Sequence, residues 1–311
     1  MTVNCNQVRR EPIAMNEQPA HQFDHWRRYL TGVAYRMLGS VTEAEDVVQD
    51  AYLRWHHADH LSVDDVRAYL TTVTSRLCLD RLRAAHRQRE VYDGPWLPEP
   101  IVESQDTPAG AEALASDVSF ALMLALERLS PLERAAFLLH DVFGLDFSQV
   151  AVSLERSEAS CRQLASRARK RVQAERPRYE VSSSEHNQLT DRFFDAARSG
   201  DVATLKALLS ENAILHTDGG GKRIAARRLI LGADRISRFF EGVARKSASP
   251  SPRWVKAVFV NGLPGWLTIE QDGLPQITTL DVVDGRIQSV YVVRNPDKLG
   301  HLAGHLPELR V

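Results

Sequence analysis

Residues 117–172 constrain the fold of this chain most, because they read as a run of helices ending in a helix–turn–helix whose last helix is basic. Apolar residues recur at three- and four-residue spacing through Leu122, Leu126 and Leu129, and again through Ala135, Leu138 and Leu139, as amphipathic helices require. Gly144 supplies a turn. Phe147, Val150, Ala151 and Leu154 mark a short helix, residues 155–157 a tight connection, and residues 159–172 a third helix. That helix keeps Cys161, Leu164, Ala165 and Ala168 on one stripe. It leaves Arg162, Gln163, Ser166, Arg167, Arg169, Lys170 and Arg171 for the rest of its surface. Arg and Gln suit base edges in a major groove, and Arg and Lys suit phosphates. A basic surface helix in an ordinary bundle carries similar residues, so the rest of the chain has to decide.

At 311 residues the chain is long for one domain, which predicts two or three. Its formal net charge of −1 would argue against nucleic acid only if charge were spread evenly. It is not. Residues 39–66 hold seven acids against Arg54, residues 67–90 hold six Arg against Asp80 and Glu90, and residues 150–180 hold eight basic residues against four acidic. Such alternation predicts an acidic partner-binding face and separate basic faces for DNA.

Residues 1–20, polar and with Pro12 and Pro19, read as a flexible tail. From residue 23 to about 89 the pattern is helical. A first helix over 23–38 is closed by Gly39-Ser40, and an acidic helix over 43–57 is opened by Thr42 and Glu45 as a capping box. Val47, Val48, Ala51, Tyr52 and Trp55 form its inner stripe, while Asp46, Gln49, Asp50 and Arg54 face outward. Asp64-Asp65 start a long helix over 66–89 whose later half projects Arg76, Arg81, Arg83, Arg87 and Arg89. Cys5, Cys78 and Cys161 show no metal or disulfide spacing, and the latter two fit small core positions. No early apolar run looks like a signal peptide, and nothing approaches the roughly 18 apolar residues of a membrane span. A soluble, cytoplasmic protein without metal or cofactor is expected.

The segments GSVTEAEDVVQDAYLRW, VRAYLTTVTSRLCLDRLRAAHR and LSPLERAAFLLHDVFGLDFSQVAVSL follow one another within residues 23–173. In that order they resemble the extracytoplasmic-function sigma factors, the small specificity subunits of bacterial RNA polymerase. The resemblance implies two all-α domains, at residues 21–90 and 113–178, the second a helix–turn–helix. It implies that Asp46, Gln49 and Asp50 dock on the β′ clamp helices of core RNA polymerase, which also contacts the chain through its β subunit. It places Arg76, Asp80, Arg81, Arg83 and Arg87 near the −10 element of promoter DNA. It places Arg162, Gln163, Ser166, Arg167, Lys170 and Arg171 at the −35 element.

The linker over residues 91–112 holds Pro95, Pro98, Pro100 and Pro108, which stiffen it into an extended path. Its centre, Trp96-Leu97-Pro98-Glu99-Pro100, is too apolar for a solvated spacer and predicts docking. After a second linker over 179–186 the pattern changes. An amphipathic helical stretch over 187–209 is interrupted at Gly200-Asp201. Strands follow over 213–217, 254–260, 265–269, 276–283 and 286–294, with turn signals at Asn261-Gly262, Asp272-Gly273 and Asp284-Gly285. This predicts an α+β cone around a curved antiparallel sheet, residues 187–311. The run NQLTDRFFDAARSGDVATLKALLSENAILHTDGGGK resembles the start of a SnoaL-like domain of the NTF2-like superfamily.

Three short motifs complete the pattern: the linker WLPEP, Asp218-Gly219-Gly220-Gly221-Lys222, and Asn295-Pro296-Asp297-Lys298-Leu299. Singly they read as a spacer, a flexible loop and a strand stop. Together they resemble the subgroup of these sigma factors that carries a fused SnoaL-like domain. That resemblance implies regulation in cis through these residues, replacing a separate anti-sigma protein, and a free monomer. His216, Asp218, Asp281 and Arg294 are of acid–base type and are expected near the cone mouth; fold alone does not make them catalytic, and no enzyme activity is expected. The cone also has room for a small molecule that nothing in the sequence identifies. The rival reading is a stand-alone helix–turn–helix regulator with a ligand-sensing domain, which leaves the acidic helix without a partner.

Overall fold

The computed structural model describes residues 19–89, 92, 94–103, 119–173, 183–246 and 251–307, the side chains of 85–89, 103, 173 and 183–187 excepted. Helix α1 (Pro19–Leu38) ends at Gly39, whose φ of +72° reverses the chain. Helix α2 (Val41–His56) is capped by Ser40, which accepts from Glu43 N at 3.1 Å, two residues earlier than the expected Thr42 box. Asp65 opens α3 (Val66–Arg89) by accepting from Ala68 N at 3.0 Å. In the second helical unit Ser119 caps α4 (Phe120–Glu127), and Ser130 with Glu133 forms a capping box on α5 (Pro131–Phe137). A π turn, Leu138–Val142, leads to Gly144, then to α6 (Phe147–Leu154), and Glu155 at φ +53° makes the tight turn into α7 (Glu158–Gln173). Cys78 and Cys161 are buried free thiols.

One apolar core runs through both helical units, joining Trp55, Leu70 and Leu77 to Leu126, Leu139 and Leu164. Arg134, only 2% exposed, crosses between them: it donates to Met37 O at 2.6 Å and Leu126 O at 2.9 Å, and pairs with Glu127 at 2.6 Å. A buried guanidinium is tolerated because its donors are so fully matched.

The C-terminal unit begins with α8 (Ser183–Ser199) and α9 (Val202–Leu208), broken at Gly200-Asp201 where Asp201 caps α9. The strands are β1 (Val102–Glu103) from the linker, β2 (Leu209–Asp218), β3 (Ile230–Leu231), β4 (Trp254–Val260), β5 (Leu263–Ile269), β6 (Pro275–Val283) and β7 (Arg286–Val293). Their order is β1-β4-β5-β6-β7-β2-β3. The sheet is not wholly antiparallel as expected: β2 runs parallel to β7, with Leu215 opposite Val290. α9 passes directly into β2, so β2 enters from the helical layer and no hairpin ties it to its neighbour. Helix α10 (Ala233–Lys246) and strands β1 and β3 were not expected.

Alternation then gives the sheet two buried faces. Leu215, Leu280 and Val290 pack under Phe193, Leu205 and Ile236 of the helices. Ile277, Tyr291 and Val293 face the other way, against Leu97 of the linker, Phe120 of α4 and Leu302. The linker is therefore part of the C-terminal core, and β1 extends its sheet by pairing Val102 with Val260.

Candidate interdomain latch and nucleic-acid surfaces

The three short motifs meet at one carboxylate. β2 delivers Asp218 to the linker side of the sheet, where its side chain is fully buried. Its Oδ1 accepts from Tyr92 Oη and from Gly220 N at 3.0 Å, and its Oδ2 from Leu97 N at 2.9 Å and Lys298 Nζ at 2.7 Å. Lys298, 9% exposed, also donates to Leu97 O and sits over the rings of Trp96 at 4.2 Å and Tyr92 at 4.9 Å. Burial, then the neighbouring Asp218 carboxylate, pushes the Tyr92 hydroxyl far above its ordinary range, so it stays a donor.

Asn295 holds Tyr92 Oη at 3.0 Å and caps the helical turn Pro296–Lys298 through Asp297 N. Gly220, at φ +61°, leaves no room for a side chain: a Cβ there would lie 2.3 Å from Asn295 Nδ2. Gly219 abuts Arg223 O, Gly221 is exposed at φ +68°, and Lys222 pairs with Asp297 at 2.6 Å on the surface. Leu299 is buried beside Leu97.

A second anchor lies farther along the linker. Glu99 turns back on the start of α2: its Oε2 accepts from Val41 N at 2.8 Å and Thr42 N at 3.2 Å, and its Oε1 from Ser40 Oγ at 2.8 Å. A carboxylate at a helix N-terminus satisfies free donors and meets the positive end of the helix dipole. Glu99 N donates to Gly39 O at 2.9 Å, and Glu99 O accepts from Tyr35 Oη at 2.7 Å. Asn261, fully buried at the β4–β5 turn, donates to Tyr35 Oη at 2.9 Å and accepts from Ile101 N at 3.0 Å. Pro98 and Pro100 are buried, His301 bonds Pro100 O at 2.8 Å, and the Trp96 ring abuts Gly39. Tyr35, Tyr92, Asn261 and His301 were not foreseen as part of this site; only Asn261 was marked in the sequence, as a turn.

Of the residues expected to dock on polymerase, Asp46 and Gln49 are exposed and Asp50 is half-buried. Arg81 does not project from α3 as expected. It bonds Asp50 at 3.0 Å and Glu43 O at 3.0 Å, and reaches Asp46 at 3.7 Å, because it faces α2 across the helix pair. Arg76 is turned toward α6, donating to Val152 O at 2.8 Å and pairing with Glu155 at 3.2 Å. Beside it the hydroxyls of Thr72 and Ser153 lie 2.9 Å apart. Asp80 and Arg83 pair with each other on the surface, and the Arg87 side chain lies outside the described residues. On α7, Gln163, Ser166 and Lys170 are exposed. Arg162 pairs with Glu158, and Arg167 and Arg171 reach the buried Glu133 at 3.3 and 2.9 Å.

The acid–base set expected at the cone mouth does not assemble. The cavity between the helices and the sheet is lined by Thr217 and Arg294 but not by His216, Asp218 or Asp281. Strand alternation puts His216 and Asp218 on the opposite face from Thr217, and His216 lies against the Tyr291 ring at 5.1 Å. Burial, then nearby Arg128, pushes His216 down to about 4, so it is neutral at pH 7. Burial alone pushes Asp281 up to about 6. An ionised Asp281 therefore opposes folding above its unfolded value near 3.9, with the penalty complete only above the folded value. Replacing Asp281 by asparagine should raise stability at pH 7.5 by on the order of 2–3 kcal/mol and change little below pH 3.5, as read from urea midpoints. Equal effects at both pH values would contradict this.

Among the described residues no group of three His, Cys, Asp or Glu could hold a metal, and no helix is long and apolar enough to cross a membrane. Residues 22–88 match the model of Sigma-70 region 2, and residues 119–172 that of Sigma-70, region 4. The chain is 41% identical over 287 residues to the ECF RNA polymerase sigma factor SigJ of Mycobacterium tuberculosis (strain ATCC 25618 / H37Rv), covering 89% of this chain and 92% of that one. It is 34% identical over 284 residues to the same strain's protein named "Probable ECF RNA polymerase sigma factor SigI", covering 90% and 94%. The crystal structure of M. tuberculosis extracytoplasmic function sigma factor SigJ superposes with a TM-score of 0.75 at 38% identity, over 90% of this chain and 98% of that one.

Proposed function

The chain belongs to the extracytoplasmic-function RNA polymerase sigma factors, non-enzymatic proteins that direct transcription initiation at promoters, and we propose that its C-terminal cone holds the sigma core in a closed state. In this reading the free protein is a cytoplasmic monomer. Asp46, Gln49 and Asp50 on α2 meet the β′ clamp helices of core polymerase. Arg76, Asp80, Arg81, Arg83 and Arg87 serve the −10 element, and Arg162, Gln163, Ser166, Arg167, Lys170 and Arg171 the −35 element.

The observation that carries this reading is the contact between the two DNA-facing units, with Thr72 and Ser153 hydroxyls 2.9 Å apart and Arg76 bonded to Val152 O. Elements at −10 and −35 lie about 25 base pairs apart, or roughly 85 Å along B-DNA. Units in contact do not span that distance, so promoter binding requires them to separate. Arg76 is also engaged across this contact, which withholds it from DNA until the units part, whereas Arg81 is held by Asp50 within the first unit. The linker is held to the cone through Asp218 and to α1 and α2 through Glu99, so releasing it would loosen both units. A separate anti-sigma protein is then unnecessary.

The test is run-off transcription from a genomic promoter library with core polymerase, with and without this chain. Promoter-specific transcripts that require the chain are expected, and more of them when the latch is weakened by Lys298→Ala. Specific DNA binding without polymerase, and no transcripts from either form, would overturn the reading.

A further inference from the structure

The cone encloses a cavity of about 160 Å³ between α8, α10 and the sheet. Phe193, Phe194, Phe239 and Phe240 form an aromatic part of its wall. Another part of the lining is polar and includes Arg198, Glu270 and Arg294. Arg198 is bound there by Glu270 in a two-pronged pair at 2.5 and 2.8 Å. Just behind it, Arg223 pairs with Asp272 at 2.7 Å. Arg294 makes no such pair: its guanidinium donates to Ile224 O, and its Nε is buried with no hydrogen-bond partner. Burial and the neighbouring Arg223 act against its charge, while Glu270 and Asp272, each already bonded to another guanidinium, favour it from nearby. Among the described residues three guanidiniums face two carboxylates here, so Arg294, at the edge of an aromatic chamber, forms no ion pair of its own.

We propose that this cavity binds a small organic carboxylate with an apolar body of about one ring. A neutral ligand would leave Arg294 as it is, and a dianion would overshoot the single surplus charge. A carboxylate would give the guanidinium the paired acceptor it lacks, while the ring displaces nothing polar from the phenylalanine wall. The volume agrees, since an apolar cavity of about 150 Å³ accommodates a benzene-sized body.

The site also adjoins the latch. Arg294 N donates to Asp218 O at 2.7 Å, and the cavity residue Thr217 directly precedes Asp218 in β2. Movement of Arg294 toward a ligand is thus one peptide away from the carboxylate that holds Lys298 and Leu97. What the ligand does to transcription rests on the cis-regulation reading, but binding itself does not.

Isothermal titration of the full chain with benzoate, phenylacetate and cyclohexanecarboxylate, each beside its primary amide, tests the proposal. At least one acid should bind about 10- to 100-fold more tightly than its amide. Arg294→Gln should remove that preference while Phe240→Ala weakens acid and amide alike. The acid–amide comparison on the unaltered protein stands even where a variant misfolds. No binding by any of the three acids, or acids and amides binding equally, would overturn it. Run-off transcription with and without the bound acid separates the two claims: binding without a change in transcripts refutes the coupling and leaves the site intact.

Discussion

Replacing Asp218 by alanine should release the linker from the cone and cost more than any other single change in the latch. The substitution removes the acceptor of four donors at once: Tyr92 Oη, Gly220 N, Leu97 N and Lys298 Nζ. The charge of Lys298 is then buried without its counter-ion, and breaking a buried pair from one side typically costs about 3–5 kcal/mol. The protein has a cheaper response than global unfolding, because undocking the linker returns the Lys298 ammonium to water. The loss should therefore appear locally. Amide exchange at Leu97, Glu99 and Ile101, whose N–H groups bond Asp218, Gly39 O and Asn261, should accelerate about 100- to 1,000-fold. Exchange in the helical core around Leu70 and Leu139 should change far less. A double change, Asp218→Asn with Lys298→Met, should recover much of the protection, because it deletes both charges together. Unaltered exchange at Leu97 in the alanine variant would mean that the carboxylate does not hold the linker.

The way this site reads from sequence shows what local pattern can and cannot carry. The WLPEP, DGGGK and NPDKL segments stand out because each combines residues that a solvated loop does not need: a Trp beside prolines, three consecutive glycines, an Asn-Pro stop followed by Lys. Helices α2, α3, α6 and α7 are legible from apolar spacing and turn residues, since those signals are local. Asn261 carries the same signal as any hairpin turn, so its bond to Tyr35, 226 positions away, leaves no trace in the sequence. Tyr35 and Tyr92 look like ordinary core aromatics until their hydroxyls find partners. The direction of Arg81 depends on how α3 crosses α2, which spacing along one helix does not fix. The parallel β2–β7 pair is likewise a long-range choice. Helix α10 is a different case, because Ile236, Phe239, Phe240 and Val243 follow helical spacing and so carry a local signal of their own.

A covalent bond between the two DNA-facing units should abolish promoter-directed transcription reversibly. Thr72 on α3 and Ser153 on α6 are suited to it: their hydroxyl oxygens are 2.9 Å apart, so sulfurs in their place need approach by only about 1 Å to reach disulfide bonding distance. Cys78 and Cys161 are buried and do not compete, and Cys5 is replaced by serine as a precaution. In the Thr72→Cys, Ser153→Cys double variant, oxidation should lower run-off transcription to the fraction that escapes cross-linking, and dithiothreitol should restore it. Each single variant should be indifferent to oxidant. Core polymerase should still bind the oxidised form, since Asp46 and Gln49, the contacts proposed above, remain exposed on α2. This separates failure to reach two distant promoter elements from failure to join the polymerase. The logic is geometric: contact between the units and simultaneous occupation of −10 and −35 sites exclude each other. If the oxidised protein transcribes as well as the reduced one, the units need not part, and the cone holds nothing closed.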